Sequence, residues 1–164
     1  MGAGKILCII GGIVALVSTL LFSFYSYELF TVTYTGYGIG IFTNLMDIFE
    51  AGDVIAIILT IVYIVSVISG VFILIGVKVR ALAIIGAIFV LFLAVLLILG
   101  PGFEINLGDD LNMSLLFFTA DPLVEGIIPF DVSLGFGIIS LGSILLAVGG
   151  VLGLIGGIMG PGDF

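Results

Sequence analysis

Four long apolar stretches with no charged residue in their interior are the feature that most constrains this chain. The hydrocarbon core of a bilayer is about 30 Å thick, and roughly 20 apolar residues cross it as a helix. A helix is the expected form because it satisfies its own backbone hydrogen bonds in lipid. The sequence therefore predicts an all-α membrane protein, a four-helix transmembrane bundle that forms a single tetraspan domain over residues 1–164. The predicted spans are residues 4–24, 54–77, 81–99 and 132–159.

The composition agrees with a chain that lies in lipid. Of the 164 residues, 62% are hydrophobic and only 9% are charged, and the mean hydropathy is +1.55. A soluble domain does not keep so apolar a surface in water. The first span resembles a signal peptide in its position, but it is too long for one and bulky residues follow it, so we expect it to be retained.

The ends of the predicted spans carry start and stop signals. Asp53 is placed to cap the second helix, and Gly100-Pro101-Gly102 follows the third. Asp131 or Ser133 is predicted to cap the fourth helix, which Gly160-Pro161-Gly162 ends. Aspartate and serine satisfy free amide groups at a helix start, whereas glycine and proline stop a helix.

The basic residues predict which end of the bundle faces the cytoplasm. Lys5 precedes the first span, and Lys78 and Arg80 lie in the turn between the second and third. The positive-inside rule places these residues and both termini in the cytoplasm, as in a multi-pass protein of the plasma membrane. Ten of the eleven acidic residues then fall in or beside the outer loops, residues 25–53 and 100–131. Aromatic residues at the outer end of the first span predict an interfacial belt: Phe22, Phe24, Tyr25 and Tyr27.

The outer loops also contain patterns of regular structure. Residues 41–50 have apolar side chains at helical spacing, which predicts a short amphipathic helix on the outer leaflet with Ile41, Leu45, Ile48 and Phe49 on one face. Three segments rich in β-branched and aromatic residues predict a small extracellular β-sheet of about three strands. These segments are Leu29–Thr35, Phe103–Leu107 and Met113–Thr119.

Small residues recur every seven positions in the first and fourth spans, and the fourth span carries a second ladder at four-residue spacing. A strict seven-residue repeat keeps one helix face toward a partner, and small residues let two backbones approach closely. These two spans are therefore predicted to pack together; the alternative is that one glycine ladder forms an interface between molecules. The residues are Gly4, Gly11 and Ser18 in the first span, and Gly135, Gly142, Gly149, Gly153, Gly156 and Gly157 in the fourth.

No residue group in the sequence points to catalysis or transport. There is no histidine, and no carboxylate lies within a span, whereas enzymes need an acid, base, nucleophile or metal. Transporters usually carry ionisable groups inside the membrane. We therefore expect no enzymatic activity and no cofactor. The net charge of −8, from 11 acidic and 3 basic residues, argues against nucleic acid as a partner and provides no polybasic segment for anionic lipid.

Three weaker site hypotheses rest on single residues or small clusters. Cys8 is suited to palmitoylation near the cytoplasmic end of its span, or it is simply a small buried residue. Asn112 begins an Asn-Met-Ser glycosylation pattern in an outer loop. Glu104, Asp109 and Asp110 are candidates for a Ca²⁺ site, although a solvated acidic face is the alternative.

The predicted layout resembles that of claudin-type tetraspan proteins. That group has four spans, cytoplasmic termini, a small extracellular sheet shared by two loops, and a short extracellular helix before the second span. The resemblance lies in architecture: the claudin first loop carries a tryptophan and paired-cysteine signature, whereas this chain has no tryptophan and Cys8 is its one cysteine. Tetraspanins are less similar, because their Cys-Cys-Gly signature is absent here. The resemblance implies a folded outer cap and transfers no functional residue.

Two functional hypotheses follow from these patterns. The first is a structural or adhesion protein that forms a homo-oligomer, or engages another membrane protein, through its acidic outer loops and glycine-rich helix faces. The second is a subunit or regulator of a cation channel, in which the outer acids concentrate cations by electrostatic focusing. The lipid bilayer is a partner in both.

Overall fold

Five α-helices and one β-hairpin make up the described part of the chain. The computed structural model describes residues 2–29, 32–37, 39, 45–102, 134 and 139–160. The elements are α1 (Ala3–Leu21), β1 (Ser23–Leu29), β2 (Val32–Tyr37), α2 (Leu45–Ala51), α3 (Val54–Ile75), α4 (Arg80–Leu97), a π-helical turn (Ile98–Gly102) and α5 (Leu141–Met159).

The four long helices pack side by side in a ring. Helix α1 contacts α3 and α5, and α4 contacts the same two helices from the other side. Among the residues that the structure describes, three helical segments are long and apolar enough to cross a membrane, namely Ala3–Leu21, Arg80–Gly100 and Leu141–Met159, while α3 contributes the shorter apolar stretch Thr60–Ile75. Large aliphatic and aromatic side chains cover the outside of the ring. These features support a transmembrane helical protein.

The start of α3 and the end of α4 follow the predicted signals. The Asp53 carboxylate accepts a hydrogen bond of 3.0 Å from the Ile55 amide, so the predicted cap is confirmed. Helix α4 passes at Ile98 into a π-helical turn that ends at Gly102. Pro101 lies in this turn, where its missing N–H prevents the regular α-helical hydrogen bond.

The predicted start of the fourth span is wrong. Helix α5 begins at Leu141, not near Val132, and Ser140 precedes it in an extended conformation. The Ser140 amide donates a 3.0 Å hydrogen bond to the Phe24 carbonyl of β1, so the backbone at this point belongs to strand-like pairing. The proposed caps Asp131 and Ser133 lie outside the described residues.

The predicted end of the first span is also wrong. Helix α1 stops at Leu21, and the chain enters β1 at Ser23. Four aromatic residues lie between positions 22 and 27, and aromatic residues are enriched in strands. The predicted span included Phe24, and the predicted belt placed it at the lipid interface; instead Phe24 is almost completely buried.

The hairpin does not have the predicted strand bounds. Strands β1 and β2 pair in antiparallel fashion from Ser23 with Tyr37 to Leu29 with Val32. The segment Leu29–Thr35 is therefore not one strand, because the two strands meet inside it. The predicted strands Phe103–Leu107 and Met113–Thr119 lie outside the described residues.

Helix α2 is short and divides its apolar residues between two directions. Ile48 is buried, whereas Met46 and Phe49 are 71% and 49% exposed. Neighbouring residues on a helix point about 100° apart, so Ile48 faces the bundle while Phe49 turns outward. The predicted single apolar face is therefore split, and residues 41–44 of the predicted helix lie outside the described part.

Side chains fill the space between the four long helices. Ile73 of α3, Val90 of α4 and Leu146 of α5 are fully buried and belong to one apolar cluster. Ile73 reaches across the ring to α5, where a methyl group built on Gly153 would lie 2.8 Å from it. The core thus lies along the axis of the ring.

Candidate functional site: the hairpin joint

A group of buried polar contacts joins the hairpin to the helices. We call it the hairpin joint and define it as Ser18, Thr19, Phe24, Tyr63, Ser140, Gly142 and Ser143. It lies at the end of the ring that carries β1 and β2, which we call the hairpin end. The opposite end, which carries the turn between α3 and α4, is the turn end.

The carbonyl group of Phe24 is the centre of the joint. The register of the hairpin shifts between Ser23 and Tyr25, so Phe24 is the extra residue of a β-bulge. A bulge leaves one residue unpaired and bends its strand. The freed carbonyl oxygen accepts two hydrogen bonds from the start of α5, at 3.0 Å from the Ser140 amide and at 2.6 Å from the Ser143 hydroxyl. One backbone group of the hairpin is thereby fixed to the last helix of the chain.

The Phe24 side chain anchors the same residue in the bundle. Its ring is 1% exposed and meets the ring of Tyr63 edge to face, with centroids 6.5 Å apart and planes at 69°. That geometry is favourable for aromatic pairs. The Tyr63 hydroxyl in turn donates a 2.7 Å hydrogen bond to the Thr19 carbonyl of α1. Strand β1 is therefore held by α3 as well as by α5.

A third hydroxyl closes the contact between α1 and α5. Ser18 donates a 2.6 Å hydrogen bond to the Gly142 carbonyl. Gly142 has no side chain, and a methyl group there would overlap the Ser23 carbonyl. Glycine at this position lets α5 approach the end of α1 closely enough for the bond to form.

The polar groups of the joint hold the hairpin and the helices in position. Its side chains carry hydroxyl groups and two aromatic rings, and the hydroxyls of Ser18, Tyr63 and Ser143 donate to backbone carbonyls of other elements. Among the described residues, no three histidine, cysteine, aspartate or glutamate side chains come together to hold a metal. The joint is thus suited to holding the hairpin in a fixed position on the helices.

The structure brings the small residues of the first and fourth spans together. A methyl group on Gly4 would overlap the Gly160 carbonyl, and one on Gly11 would lie 2.6 Å from the Gly153 amide nitrogen. A methyl group on Gly149 would lie 2.7 Å from the amide nitrogen of Ala15. Along this seam the backbones of α1 and α5 touch directly, which no larger residue permits.

The remaining glycines of α5 face the other two helices. A methyl group on Gly150 would lie 2.7 Å from Leu91 of α4, and one on Gly157 would lie 2.8 Å from Ile84 of the same helix. Every glycine of α5 is buried within the chain. The glycines of α5 are therefore already covered by the chain's own helices, which weakens the alternative of a glycine interface between molecules. Gly135 lies outside the described residues.

Cys8 is part of the same seam. It is 1% exposed, and a methyl group on Gly156 would lie 2.8 Å from its sulfur atom. The thiol faces α5 and is covered in this arrangement, so the geometry favours the interpretation as a small buried residue over that as a lipidation site. The other candidate sites, Asn112 for glycosylation and Glu104, Asp109 and Asp110 for Ca²⁺, lie outside the described residues.

The sequence analysis missed two features of the joint. The predicted belt places Phe24 at a lipid interface, although the aromatic residues around it are also typical of a strand. Nothing in the spacing of Ser143 points to a carbonyl 119 positions away. Comparison with protein-family models, curated proteins and solved structures gives no match to this chain.

Proposed function

We propose that this chain is a structural or adhesion protein that crosses the membrane four times and presents a fixed cap for contact with a second copy or another membrane protein. The observation that carries the proposal is the pair of hydrogen bonds from α5 to the Phe24 carbonyl. An isolated two-stranded hairpin is marginally stable in water. Attachment to three helices removes much of its freedom, which lowers the entropy lost when the cap meets a partner.

The proposed topology places α1, α3, α4 and α5 across the bilayer. Helix α3 has 22 residues, which is enough for a span. Lys5, Lys78 and Arg80 then lie on the cytoplasmic side with both termini, and the hairpin lies outside. The claudin-like outer sheet remains part of this proposal, with β1 and β2 as its first strands.

The charge of the cap restricts the partner. The described acidic residues beside the hairpin end, Asp47, Glu50 and Asp53, are exposed, and the sequence places further acids in the second outer loop. Two such caps repel each other at low ionic strength, whereas a basic partner is attracted. Ionic strength therefore distinguishes contact between two copies from contact with a basic protein.

Vesicle clustering tests the proposal. The purified protein is reconstituted in phosphatidylcholine vesicles, clustering is followed by light scattering at low and high salt, and native mass spectrometry gives the oligomeric state in mild detergent. We expect clustering or a defined oligomer, with contact between copies stronger at high salt. Ser143→Ala is expected to weaken this contact, and Ser69→Ala serves as the matched control, because the Ser69 hydroxyl bonds only within its own helix at 2.7 Å from the Val65 carbonyl.

A strictly monomeric protein that clusters neither with itself nor with native membranes would overturn the proposal. Cation conductance in planar bilayers that depends on the outer acids would instead favour the channel-subunit hypothesis.

A further inference from the structure

We infer that the turn end binds the phosphate of an anionic group, most directly that of an anionic phospholipid headgroup, through Lys5, Lys78 and Arg80. This inference does not depend on the adhesive role of the hairpin end. It rests on the way the fold gathers the chain's three basic residues, which are far apart in sequence and form no polybasic segment.

The end of α5 lies between the chain segments that carry the three residues. Gly160 ends this helix with a φ of 75°, a conformation that favours glycine. Its carbonyl lies against Gly4, so that Lys5 is one residue from the contact. On the other side of Gly160, a methyl group built on it would lie 3.8 Å from Cδ of Arg80. Lys78 lies two residues before Arg80, in the tight turn at the same end.

The positive charges of the three side chains are accessible to a ligand. Lys78 and Arg80 are exposed, and Lys5 is half-exposed. None of these three side chains forms a hydrogen bond or an ion pair with another described residue. A charged side chain near the membrane surface contributes about 1 kcal/mol to the attraction of anionic lipid. Basic pockets between helix ends on the cytoplasmic side are the usual place for phosphate headgroups.

The local backbone adds to the positive potential. Helices α1 and α4 both begin at this end, and neither Gly2 nor Val79 caps them with a side-chain hydrogen bond. Free amide groups at a helix start favour an anion. The end of α5 has the opposite polarity, but Arg80 lies beside it. Ten of the eleven acidic residues lie in or beside the outer loops, whereas the described part of the turn end carries the three basic residues, so an anionic headgroup is attracted to this end.

Lipid retention tests the inference. The full chain in mixed micelles with equal phosphatidylglycerol and phosphatidylcholine is analysed by native mass spectrometry. We expect phosphatidylglycerol to be retained preferentially, with roughly a fivefold loss of that preference for each of Lys5→Gln, Lys78→Gln and Arg80→Gln. Asp47→Asn, Glu50→Gln and Asp53→Asn are the matched controls, since each changes the charge by one at the hairpin end and is expected to leave the preference unchanged.

A second arm separates the two sources of phosphate. Addition of inorganic phosphate at constant ionic strength is expected to leave the bound lipid in place. Displacement of lipid by inorganic phosphate, but not by chloride, would support the phosphate site and identify free phosphate as a competing ligand. Equal retention of both lipids, or a preference that survives the triple substitution, would overturn the inference. Circular dichroism of each variant checks that the helices are intact.

Discussion

The two halves of the helix ring are held together by different means. In the half toward the turn end, helices meet through glycines: Gly4 and Gly11 face α5, Gly12 and Gly70 lie between α1 and α3, and Gly157 faces α4. In the half toward the hairpin end, hydroxyl groups cross between elements, and large rings fill the space. The half toward the turn end depends on the lack of side chains at its glycines, whereas the half toward the hairpin end depends on hydroxyl groups and aromatic rings.

This difference assigns separate roles to the two halves. Close backbone contact gives many small dispersion interactions without direction, which is enough to hold helices side by side in lipid. Hydrogen bonds have direction, so the hairpin half positions its attached strand. The comparison predicts that the turn half is damaged by added atoms and the hairpin half by removed ones.

The largest effect is expected from removal of the Phe24 ring. Phe24→Ala leaves a cavity beside Tyr63 and removes the aromatic contact, and core changes of this kind cost about 3 kcal/mol or more. The free energy of unfolding, measured by steric trapping in bicelles, checks this value. Phe92→Ala is the control: Phe92 is 52% exposed on α4, so we expect a much smaller loss. Equal losses at both positions would remove the distinction between core and lipid-facing rings.

The next effect is expected from a single methyl group in the turn half. Gly11→Ala places Cβ 2.6 Å from the Gly153 nitrogen and 2.8 Å from the Gly149 carbonyl oxygen, and neither backbone can move alone. Overpacking of this kind costs about 1–3 kcal/mol.

The neighbouring glycine offers a matched control for that substitution. Gly12→Ala meets mainly the side chain of Leu74, at 2.6 Å, which rotates more easily than a backbone shifts. We expect Gly12→Ala to cost clearly less than Gly11→Ala in the same unfolding measurement. If the two substitutions cost the same, the close backbone approach of α1 and α5 does not control stability.

The sequence predicted the glycine half better than the hairpin half. Spacing along one helix already shows which face carries Gly149 and Gly156, because helical geometry is local. Apolar length likewise predicted four long helices. The cap at Asp53 followed from its position before an apolar run, since the bond it makes is also local.

The hairpin joint depends on contacts that spacing along the chain does not encode. The bond from Ser143 to Phe24 joins residues far apart in sequence, and it forms because a bulge in β1 turns one carbonyl toward α5. The predicted first span also included Ser23 and Phe24, because they follow its apolar run directly. A strand that directly follows a transmembrane helix is also rich in apolar residues, so composition alone does not show where the helix ends.

A smaller loss is expected from removal of one joint hydroxyl. Ser143→Ala deletes the 2.6 Å bond to the Phe24 carbonyl, but the Ser140 amide still donates to that carbonyl. A net cost of about 1 kcal/mol is expected. Ser69→Ala, which loses only a bond within α3, should cost less in the same unfolding assay. A larger cost for Ser69→Ala would contradict the directional role assigned to the hairpin half.

The smallest effect, with the opposite sign, is expected at Ser66 between the two halves. Ser66 of α3 is 2% exposed, and its hydroxyl has no hydrogen-bond partner in the described part of the chain. A buried hydroxyl without a partner is destabilising, since its desolvation is not offset. Ser66→Ala should therefore raise the free energy of unfolding by up to about 1 kcal/mol, whereas Ser69→Ala does not raise it. A loss of stability on Ser66→Ala would show that this hydroxyl finds a partner, and that directional polar contacts extend from the hairpin half to the middle of the ring.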